Sequence, residues 1–436
     1  MFKRKITYKT VILFIFGVSV IVPLAYHFVG YTEAERLMYH VHDSNALNLF
    51  ALRSSWPTSV LGGILFHGDP IPNSNAGKQY VVLVYKYWDQ LKERQMFNFG
   101  KKGKEADILD GCSVKNCIFS GDDALMNTAD AVLVHLQHGV VPKVKNRNPK
   151  QRWIFWSDQS PRHTFTMARH ATDRTTLYGV FNWSMTYRSD SDIPVPYGRT
   201  VLLPKPVLSE YKTMAELTTL IPNWDRKRAN KTAAVLMSNC GIKARNDFVK
   251  ELRKYINVDV YGRCSDKNEL RTSCPGHFRG KSDCDPIAEY LFYLVLENTS
   301  CYQYLTEKVF HHAYSKGAIP VIFGPSRGDV ESLLPPNSYI FADADTAIQN
   351  LAKDIKAVAS NVDLLLSMHT WRNHFEVINE HGYFGTKSYH LCRVCEALNY
   401  NSEEEKVYDS ELLDVFLDPS KSCYNRNTYK RLMYKN

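Results

Sequence analysis

Strand-length apolar runs alternate with amphipathic helical patterns through the second half of the chain. Between residues 231 and 325 the pattern reads strand, helix, strand, strand, helix, strand, and similar strand-length runs occur earlier at Tyr80–Trp88, Ala129–Leu136 and Arg152–Ser157. This alternation predicts parallel, doubly wound α/β sheets. We therefore expect two Rossmann-like domains facing a cleft, with ligands at the carboxyl ends of the strands.

An uncharged apolar run occupies residues 10–32 and is long enough to cross about 30 Å of hydrocarbon. A basic segment precedes it and acidic residues follow, so the positive-inside rule predicts a cytosolic tail at 1–9, a transmembrane signal-anchor at 10–32 and a lumenal remainder. A cleaved signal peptide is the alternative, although the run is longer than the usual apolar region of such peptides.

The rest of the chain is expected to form a stem and two packed domains. Residues 33–75 carry Ser, Asn, Gly and Pro clusters without a sustained period, which is typical of a stem. We place an N-terminal α/β domain at 76–210, a C-terminal α/β domain at 211–400 and a tail at 401–436. The net charge of +9 includes the basic N-terminus, and no Lys/Arg stripe is interleaved with aromatics, which argues against nucleic-acid binding.

The chain has 10 cysteines, an even number in a segment that the topology places in an oxidising lumen. Disulfides are therefore expected, and a four-thiolate zinc site is the alternative for the closely spaced pairs Cys112/Cys117 and Cys392/Cys395. The spacing leaves the connectivity open.

Glycosylation sequons at Asn182, Asn230 and Asn298 agree with a lumenal location. We expect glycans at Asn182 and Asn230.

The most informative stretch is a strand that ends in Glu297 and Asn298 and is followed, after a polar loop, by Thr306, Glu307 and Lys308 at the start of a helix. A helix N-terminus with a cation and a carboxamide suits a pyrophosphate. An ordinary helix start capped by Thr306 is the alternative. Lys308 is expected to be a surface residue of the first helical turn, which contributes little to folding. Lys308→Ala is therefore expected to abolish activity and to leave folding intact.

This stretch resembles the signature of the alpha-1,3-fucosyltransferase family, with its Leu-Glu-Asn, Tyr-x-Thr-Glu-Lys and Ala-x-Pro-Val-x-x-Gly-Pro elements. The resemblance covers roughly residues 80–400. Further blocks follow in the family's order, at 152–164, 181–198, 238–246, 258–263 and 392–395.

The resemblance implies an inverting, metal-independent GT-B glycosyltransferase of the Golgi membrane. Such an enzyme would need no cofactor and would transfer L-fucose from GDP-fucose to the 3-hydroxyl of N-acetylglucosamine in a glycan or glycoprotein acceptor. The acceptor would bind mainly to the domain at 76–210, and GDP-fucose would bind to the domain at 211–400. Arg245 and Lys308 would hold the diphosphate, and Asn298 would lie in the donor pocket and stay unglycosylated. The donor-binding residues implied are Ser238, Asn239, Arg245, Tyr261, Arg263, Glu297, Asn298, Tyr304, Thr306, Glu307 and Lys308.

The sequence departs from the family pattern at Gln159. Family members generally carry Glu here as the candidate general base, and a carboxamide has no useful basicity. Asp158 or His163 is the candidate substitute, and weak or absent turnover is the third explanation. The alternatives for function are accordingly a weak or inactive homologue that binds a GDP-sugar or glycan, and a core N-glycan alpha-1,3-fucosyltransferase.

Asp-x-Asp triplets at residues 190–192, 283–285 and 343–345 have the form of divalent-ion clamps. The first lies in a block that the resemblance assigns to fold structure. We expect none of them to bind a metal.

Overall fold

A computed structural model describes residues 49, 52–74, 77–89, 91, 107–143, 147–274, 283–342 and 347–424. The predicted cytosolic tail and signal-anchor, at 1–9 and 10–32, lie outside the described residues. Within the described part of the chain, none of the helices combines the length and the apolar character needed to span a bilayer. Leu49–Asn436 belong to one compact unit.

The first half of the fold is a six-stranded parallel sheet in the order β2-β1-β3-β4-β5-β6. Its central strands are fully buried runs of β-branched and aromatic residues, which favour strands covered on both faces. The strands are β1 (Tyr80–Tyr85), β2 (Cys117–Ser120), β3 (Ala131–His135), β4 (Arg152–Ser157), β5 (Trp183–Thr186) and β6 (Ile193–Pro194).

Both faces of this sheet are covered partly by distant segments of the chain. Helix α1 (Val60–Phe66) and helix α7 (His390–Tyr400) pack on one face, and helix α8 (Ser410–Leu417) packs on the other. The predicted stem is therefore wrong for residues 60–66, because Leu61, Leu65 and Phe66 are buried in the core of the first sheet. The Gly-Gly pair within α1 hid a helix that tertiary packing stabilises.

The second half is a five-stranded parallel sheet in the order β12-β11-β10-β8-β9. Its core contains the apolar faces of the two longest helices on this side, α2 and α5. The elements are β8 (Ala233–Leu236), α2 (Lys243–Leu252), β9 (Val258–Tyr261), α3 (Asn268–Thr272), β10 (Phe292–Leu296), β11 (Ile319–Phe323), α4 (Arg327–Leu333), β12 (Ile340–Phe341), α5 (Ile348–Ser360) and α6 (Val362–Ser367).

An antiparallel pair joins β7 (Gly198–Leu202) to β13 (Phe375–Asn379), with Phe375 opposite Leu202 and Asn379 opposite Gly198. The chain then returns to the first sheet through α7, α8 and the short α9 (Pro419–Ser422). The predicted α/β class and parallel sheets are confirmed, whereas the domain boundaries other than that of the stem stay predictions.

The helix predicted after Thr306 differs from expectation. The structure has a π-helix at Lys308–Ala313 and a 3-10 turn at Tyr314–Lys316, which Gly317 ends at φ +69°. Single π-turns are frequent at functional sites. Thr306 is not its cap, since Glu307 precedes the first helical residue.

The predicted disulfides are confirmed, and the two cysteines of each closely spaced pair bond to cysteines far away in the sequence. Cys112 bonds Cys392 and Cys117 bonds Cys395, so α7 is tied to the first sheet rather than to a zinc ion. The remaining bonds are Cys240–Cys264, Cys274–Cys284 and Cys301–Cys423.

A fully buried carboxylate, Glu380, connects the antiparallel pair to α7. It accepts from Arg199 Nε at 2.7 Å and from Arg393 Nε and Nη2 at 3.0 and 2.7 Å. Burial alone raises the pKa of Glu380, but the two guanidinium charges outweigh it and lower the pKa to about 2. The folded state therefore holds this group ionised.

We expect Glu380→Gln to lower the free energy of unfolding at pH 7 by about 3–5 kcal/mol, because two buried cations lose their charge partner. The folded pKa of Glu380 lies below its ordinary value of 4.5, so its stabilisation is present above pH 4.5 and is lost as the pH falls towards 2. Urea unfolding at pH 7 and pH 3 should thus show a smaller acid loss in the variant than in wild type. The exposed Glu376→Gln is the matched control, and equal behaviour of the two variants would contradict the assignment.

Candidate functional site

A cavity of about 240 Å³ lies where the carboxyl ends of strands from both sheets meet. Nine of the residues predicted from sequence line it: Gln159, Ser238, Asn239, Arg245, Asn298, Tyr304, Thr306, Glu307 and Lys308. Seven lining residues were not predicted: Tyr197, Leu236, Met237, Tyr293, His312, Tyr383 and Phe384. We call this cavity the pocket.

Lys308 is anchored on one side of the pocket by a buried network. Its Nζ lies 3.0 Å from Glu297 Oε2, 2.8 Å from Thr306 Oγ1 and 3.1 Å from Glu307 Oε1. Glu297 is fully buried and also accepts from the Thr306 main-chain N–H at 2.9 Å. Burial alone lowers the pKa of Lys308, but the charges on Glu297 and Glu307 reverse the direction and raise it, so Lys308 is protonated at neutral pH.

Arg245 supplies a second cation to the same side. It belongs to α2, is 5% exposed, and donates to Leu296 O at 3.2 Å and to Asn239 O at 3.0 Å. These carbonyls hold the guanidinium between the ends of β8 and β10. Arg245, Glu307 and Lys308 together are the charged wall of the pocket, and two fixed cations on it favour an anionic group.

Gln159 lines the pocket from the segment that follows β4 of the first sheet and is held between two buried tyrosines. Its Oε1 accepts from Tyr304 OH and its Nε2 donates to Tyr197 OH, both at 3.3 Å. Tyr197 OH in turn donates to Asp158 O at 3.0 Å. Burial raises the pKa of both tyrosines well above 10, so these hydroxyls are neutral partners and not bases.

Asp158 is buried behind Gln159 and does not line the pocket. Its two carboxylate oxygens lie 3.7 Å from His135 Nε2 and 3.2 Å from His381 Nε2. Neighbouring residues on an extended segment point to opposite faces, which accounts for the separation of Asp158 from Gln159. His163, on the 3-10 turn at Pro161–His163, is also absent from the lining.

His312 is a lining residue that the sequence did not reveal. It lies within the π-helix, is 1% exposed, and burial lowers its pKa to about 3, so its ring is neutral. Its ring packs against Phe384 with centroids 4.4 Å apart. Phe384 takes a left-handed φ of +53°, and the Gly-Tyr-Phe-Gly pattern around it was the one signal of a special backbone there.

Three predicted donor residues, Tyr261, Arg263 and Glu297, do not line the pocket. Tyr261 OH pairs with Tyr290 OH at 2.9 Å, Arg263 Nε donates to Ser238 O at 3.0 Å, and Glu297 binds Lys308. Arg263 and Glu297 therefore support lining residues, whereas Tyr261 faces Tyr290.

The carboxylates of the Asp-x-Asp triplets are engaged by protein groups. Asp190 pairs with Arg188, Asp192 with Lys406, and Asp285 with Arg226. Residues 343–345 lie outside the described part of the chain.

Asp283 is engaged in the same way. His311 Nε2 lies 2.9 Å from one of its oxygens and Lys316 pairs with the other. Asp283, His311 and His312 have potential ligand atoms within 4.8 Å of one another, but Lys316 already neutralises the carboxylate.

The sequons differ in access. Asn182 is 6% exposed, and its Nδ2 donates to Lys406 O at 2.8 Å, so the folded structure has no room for the glycan predicted there. Asn230 is exposed and suits a glycan. Asn298 lines the pocket.

Comparison with known families places the chain. A model described as "Fucosyltransferase, N-terminal" matches residues 77–198, and one described as "Glycosyltransferase family 10 (fucosyltransferase) C-term" matches residues 226–412. The two regions together cover more than half of the chain. The chain therefore belongs to glycosyltransferase family 10, the fucosyltransferases.

The sequence identity to individual relatives is low. The chain is 29% identical over 306 residues to Glycoprotein 3-alpha-L-fucosyltransferase A of Drosophila melanogaster, covering 70% of this chain but only 54% of that protein. It is 29% identical over 310 residues to 4-galactosyl-N-acetylglucosaminide 3-alpha-L-fucosyltransferase 9 of Homo sapiens, covering 69% and 75%. A crystal structure of an alpha1,3-fucosyltransferase with GDP-fucose shares 15% identity and a TM-score of 0.46, covering 81% of this chain and 98% of that one.

The buried network changes what removal of Lys308 is expected to do. The sequence predicted a surface lysine, but the Lys308 side chain is 17% exposed and faces a carboxylate with no exposure. We expect Lys308→Ala to lower the free energy of unfolding by about 3–5 kcal/mol, because the fully buried Glu297, whose pKa burial already raises, loses its cationic partner.

The measurement is urea unfolding of Lys308→Ala beside two comparison variants. The double variant Lys308→Ala/Glu297→Gln should recover part of the loss, and Lys243→Ala, at a side chain that is 84% exposed, should stay near wild type. A Lys308→Ala protein as stable as Lys243→Ala would show that the network does not stabilise the fold.

Proposed function

We propose that this protein transfers L-fucose from GDP-fucose to the 3-hydroxyl of N-acetylglucosamine in a glycan or glycoprotein acceptor, with inversion at the fucosyl carbon. The observation that carries the proposal is the charged wall, where Arg245 and Lys308 converge at the ends of β8 and β10 in a fucosyltransferase-family chain. The names of the relatives as 3-alpha-L-fucosyltransferases support the linkage.

Arg245 and Lys308 are suited to stabilise the leaving group. Cleavage of the fucosyl–phosphate bond leaves both bonding electrons on the GDP oxygen, and fixed cations in a partly buried site stabilise that charge without reorganising. Both cations are pre-positioned by protein acceptors, through Leu296 O for Arg245 and Glu297 for Lys308. Asn298 and Glu307 present polar atoms to the hydroxyls of the bound donor.

Proton removal from the acceptor hydroxyl is the weak step of this arrangement. Gln159 cannot take the proton, and Glu307 is the sole carboxylate among the described residues that line the pocket. Burial raises the pKa of Glu307, but the charge on Lys308 outweighs it and holds that pKa below its ordinary value. A carboxylate so stabilised is a poor base, so turnover is expected to be slow.

A second candidate function follows from the same position: a homologue that binds GDP-fucose or glycan and scarcely turns over. A third is transfer to the core of N-glycans, which the Drosophila relative's glycoprotein-directed name favours. The type II Golgi location, the anchor at 10–32 and glycosylation at Asn230 belong to the proposal, and they rest on the sequence arguments.

The direct test is an assay of the full-length protein in solubilised membranes with GDP-fucose. The acceptor panel comprises N-acetyllactosamine and an N-glycan core oligosaccharide, and the readouts are GDP affinity, fucose transfer and product linkage. Transfer with an alpha-1,3 linkage supports the proposal. GDP binding without transfer to any acceptor favours the binding homologue.

We expect Gln159→Glu to raise kcat/KM for transfer by about 10²–10⁴, because a positioned general base contributes that much to hydroxyl attack. Gln159→Met is the matched control, since it has similar length and cannot take a proton. GDP affinity should be unchanged in both variants, because Gln159 follows a strand of the first sheet, whereas Arg245 and Lys308 of the charged wall belong to the elements of the second sheet. Equal rates in Gln159→Glu and Gln159→Met would show that another group already acts as base.

A further inference from the structure

Two half-buried rings stack at the carboxyl edge of the first sheet, outside the pocket lining. Tyr87 follows β1 and His138 follows β3, and their ring centroids are 3.7 Å apart at an interplanar angle of 12°. We call the pair the platform. Neither residue belongs to a core cluster or to the site described above.

The platform is held by an unusual backbone. Lys86 and Tyr87 have φ of +54° and +51°, a left-handed conformation that is rare for non-glycine residues and is strained. Strain of this kind persists only where the surroundings over-determine it, and it concentrates at functional sites.

The surroundings do fix this turn. Lys86 pairs with Asp123, and the Tyr87 carbonyl accepts from Leu91 N at 3.0 Å. Trp88 packs so closely on Gly121 that a Cβ there would lie 2.5 Å from Trp88 Cβ. These contacts fix the turn in the conformation in which the Tyr87 ring stacks on His138.

His138 is held from the other side by a similarly close packing. The next residue, Gly139, has φ +67°, and a Cβ there would lie 2.5 Å from Thr172 Oγ1. Close by, Gln137 O accepts from Met167 N at 2.9 Å and Gln137 Nε2 donates to Thr166 Oγ1 at 3.3 Å. Polar groups thus flank the stacked rings at the surface.

The strand register gives the distance from the platform to the pocket. Tyr85 pairs with Val134 and Val134 pairs with Phe155, so Tyr87, His138 and Gln159 all follow three adjacent parallel strands at one edge. β1 and β4 are two strand spacings apart, or about 10 Å. This span matches a sugar unit next to one whose hydroxyl is at Gln159.

From these observations we propose that Tyr87 and His138 form a stacking subsite for a second sugar residue of an oligosaccharide acceptor. The apolar C–H face of a pyranose fits the electron-rich face of an aromatic ring, and the flanking amide and hydroxyl groups suit its hydroxyls. The inference deepens the proposed function and rests on it. It assigns recognition of the acceptor beyond the reacting sugar to the end of β1.

The test compares Tyr87→Asn with Tyr87→Phe. Asn tolerates the left-handed backbone and has no ring, whereas Phe keeps the ring, so the pair separates stacking from folding. KM is measured for GDP-fucose, for methyl N-acetylglucosaminide, and for whichever of N-acetyllactosamine and the N-glycan core oligosaccharide is the better acceptor.

We expect Tyr87→Asn to raise KM for the oligosaccharide about tenfold, consistent with the loss of one aromatic stacking contact. In Tyr87→Asn, KM for GDP-fucose and for the monosaccharide should stay within about twofold of wild type. Tyr87→Phe should resemble wild type for all three substrates. Equal changes for monosaccharide and oligosaccharide, or no change, would overturn the subsite.

A binding measurement separates this inference from the proposed function. If wild type transfers no fucose, saturation-transfer NMR with the same oligosaccharides replaces the kinetic readout. Loss of the oligosaccharide signal in Tyr87→Asn but not in Tyr87→Phe supports the subsite without any turnover. An unchanged signal, or no signal in wild type, overturns it.

Discussion

The arrangement of the pocket depends on the hydrogen bonds and the ion pair that the Glu297 carboxylate forms. Glu297 is fully buried and follows directly on β10. Its carboxylate accepts hydrogen bonds from the Thr306 N–H, the Thr306 hydroxyl and the Lys308 ammonium. A buried charge of this kind costs several kcal/mol unless it is fully paired, so the chain between β10 and the π-helix has few alternative paths. The position of Lys308 on the charged wall is a consequence of that constraint.

The part of the pocket around Gln159 is built from neutral groups. Gln159 is oriented by Tyr197 and Tyr304, and the ring of Tyr197 stacks on His381 with centroids 3.8 Å apart. His381 in turn faces Asp158. The two parts of the pocket therefore differ in chemistry: one is arranged to receive negative charge, and the other orients a hydroxyl but leaves its proton without a strong acceptor.

Much of the fold was predictable because each strand is a short apolar run that can be recognised from neighbouring residues alone. Arg152–Ser157 was predicted with the bounds that the structure has, and the alternation of strands and helices from Ala233 to Phe323 gave the parallel second sheet. The helix at Val60–Phe66 was not predictable, since a Gly-Gly pair disfavours helix and only packing against distant residues stabilises it. The antiparallel pair of β7 and β13 is likewise a contact between distant residues.

The site residues that belong to a sequence motif were predictable, and the other site residues were not. The segment from Asn298 to Lys308 reached the pocket as expected, because its residues follow one strand end. Tyr197, His312 and Phe384 come from three separate segments, and no spacing in the sequence links them. The burial of Asn182 was also hidden, because its amide bonds the main chain at Lys406, far away in the sequence.

The return of α7 to the first sheet has a consequence for the order in which the chain can mature. Cys112 and Cys117 await partners 280 and 278 residues further on, which at about 5–20 residues per second emerge from the ribosome only tens of seconds later. During that interval the two thiols are close in sequence to each other and to no native partner. The strands of the first sheet can pair before then, but their disulfide links to α7 form only after residues 392 and 395 have been made. A thiol–disulfide exchange catalyst that keeps Cys112 and Cys117 from pairing with each other is therefore part of the requirements for making the protein.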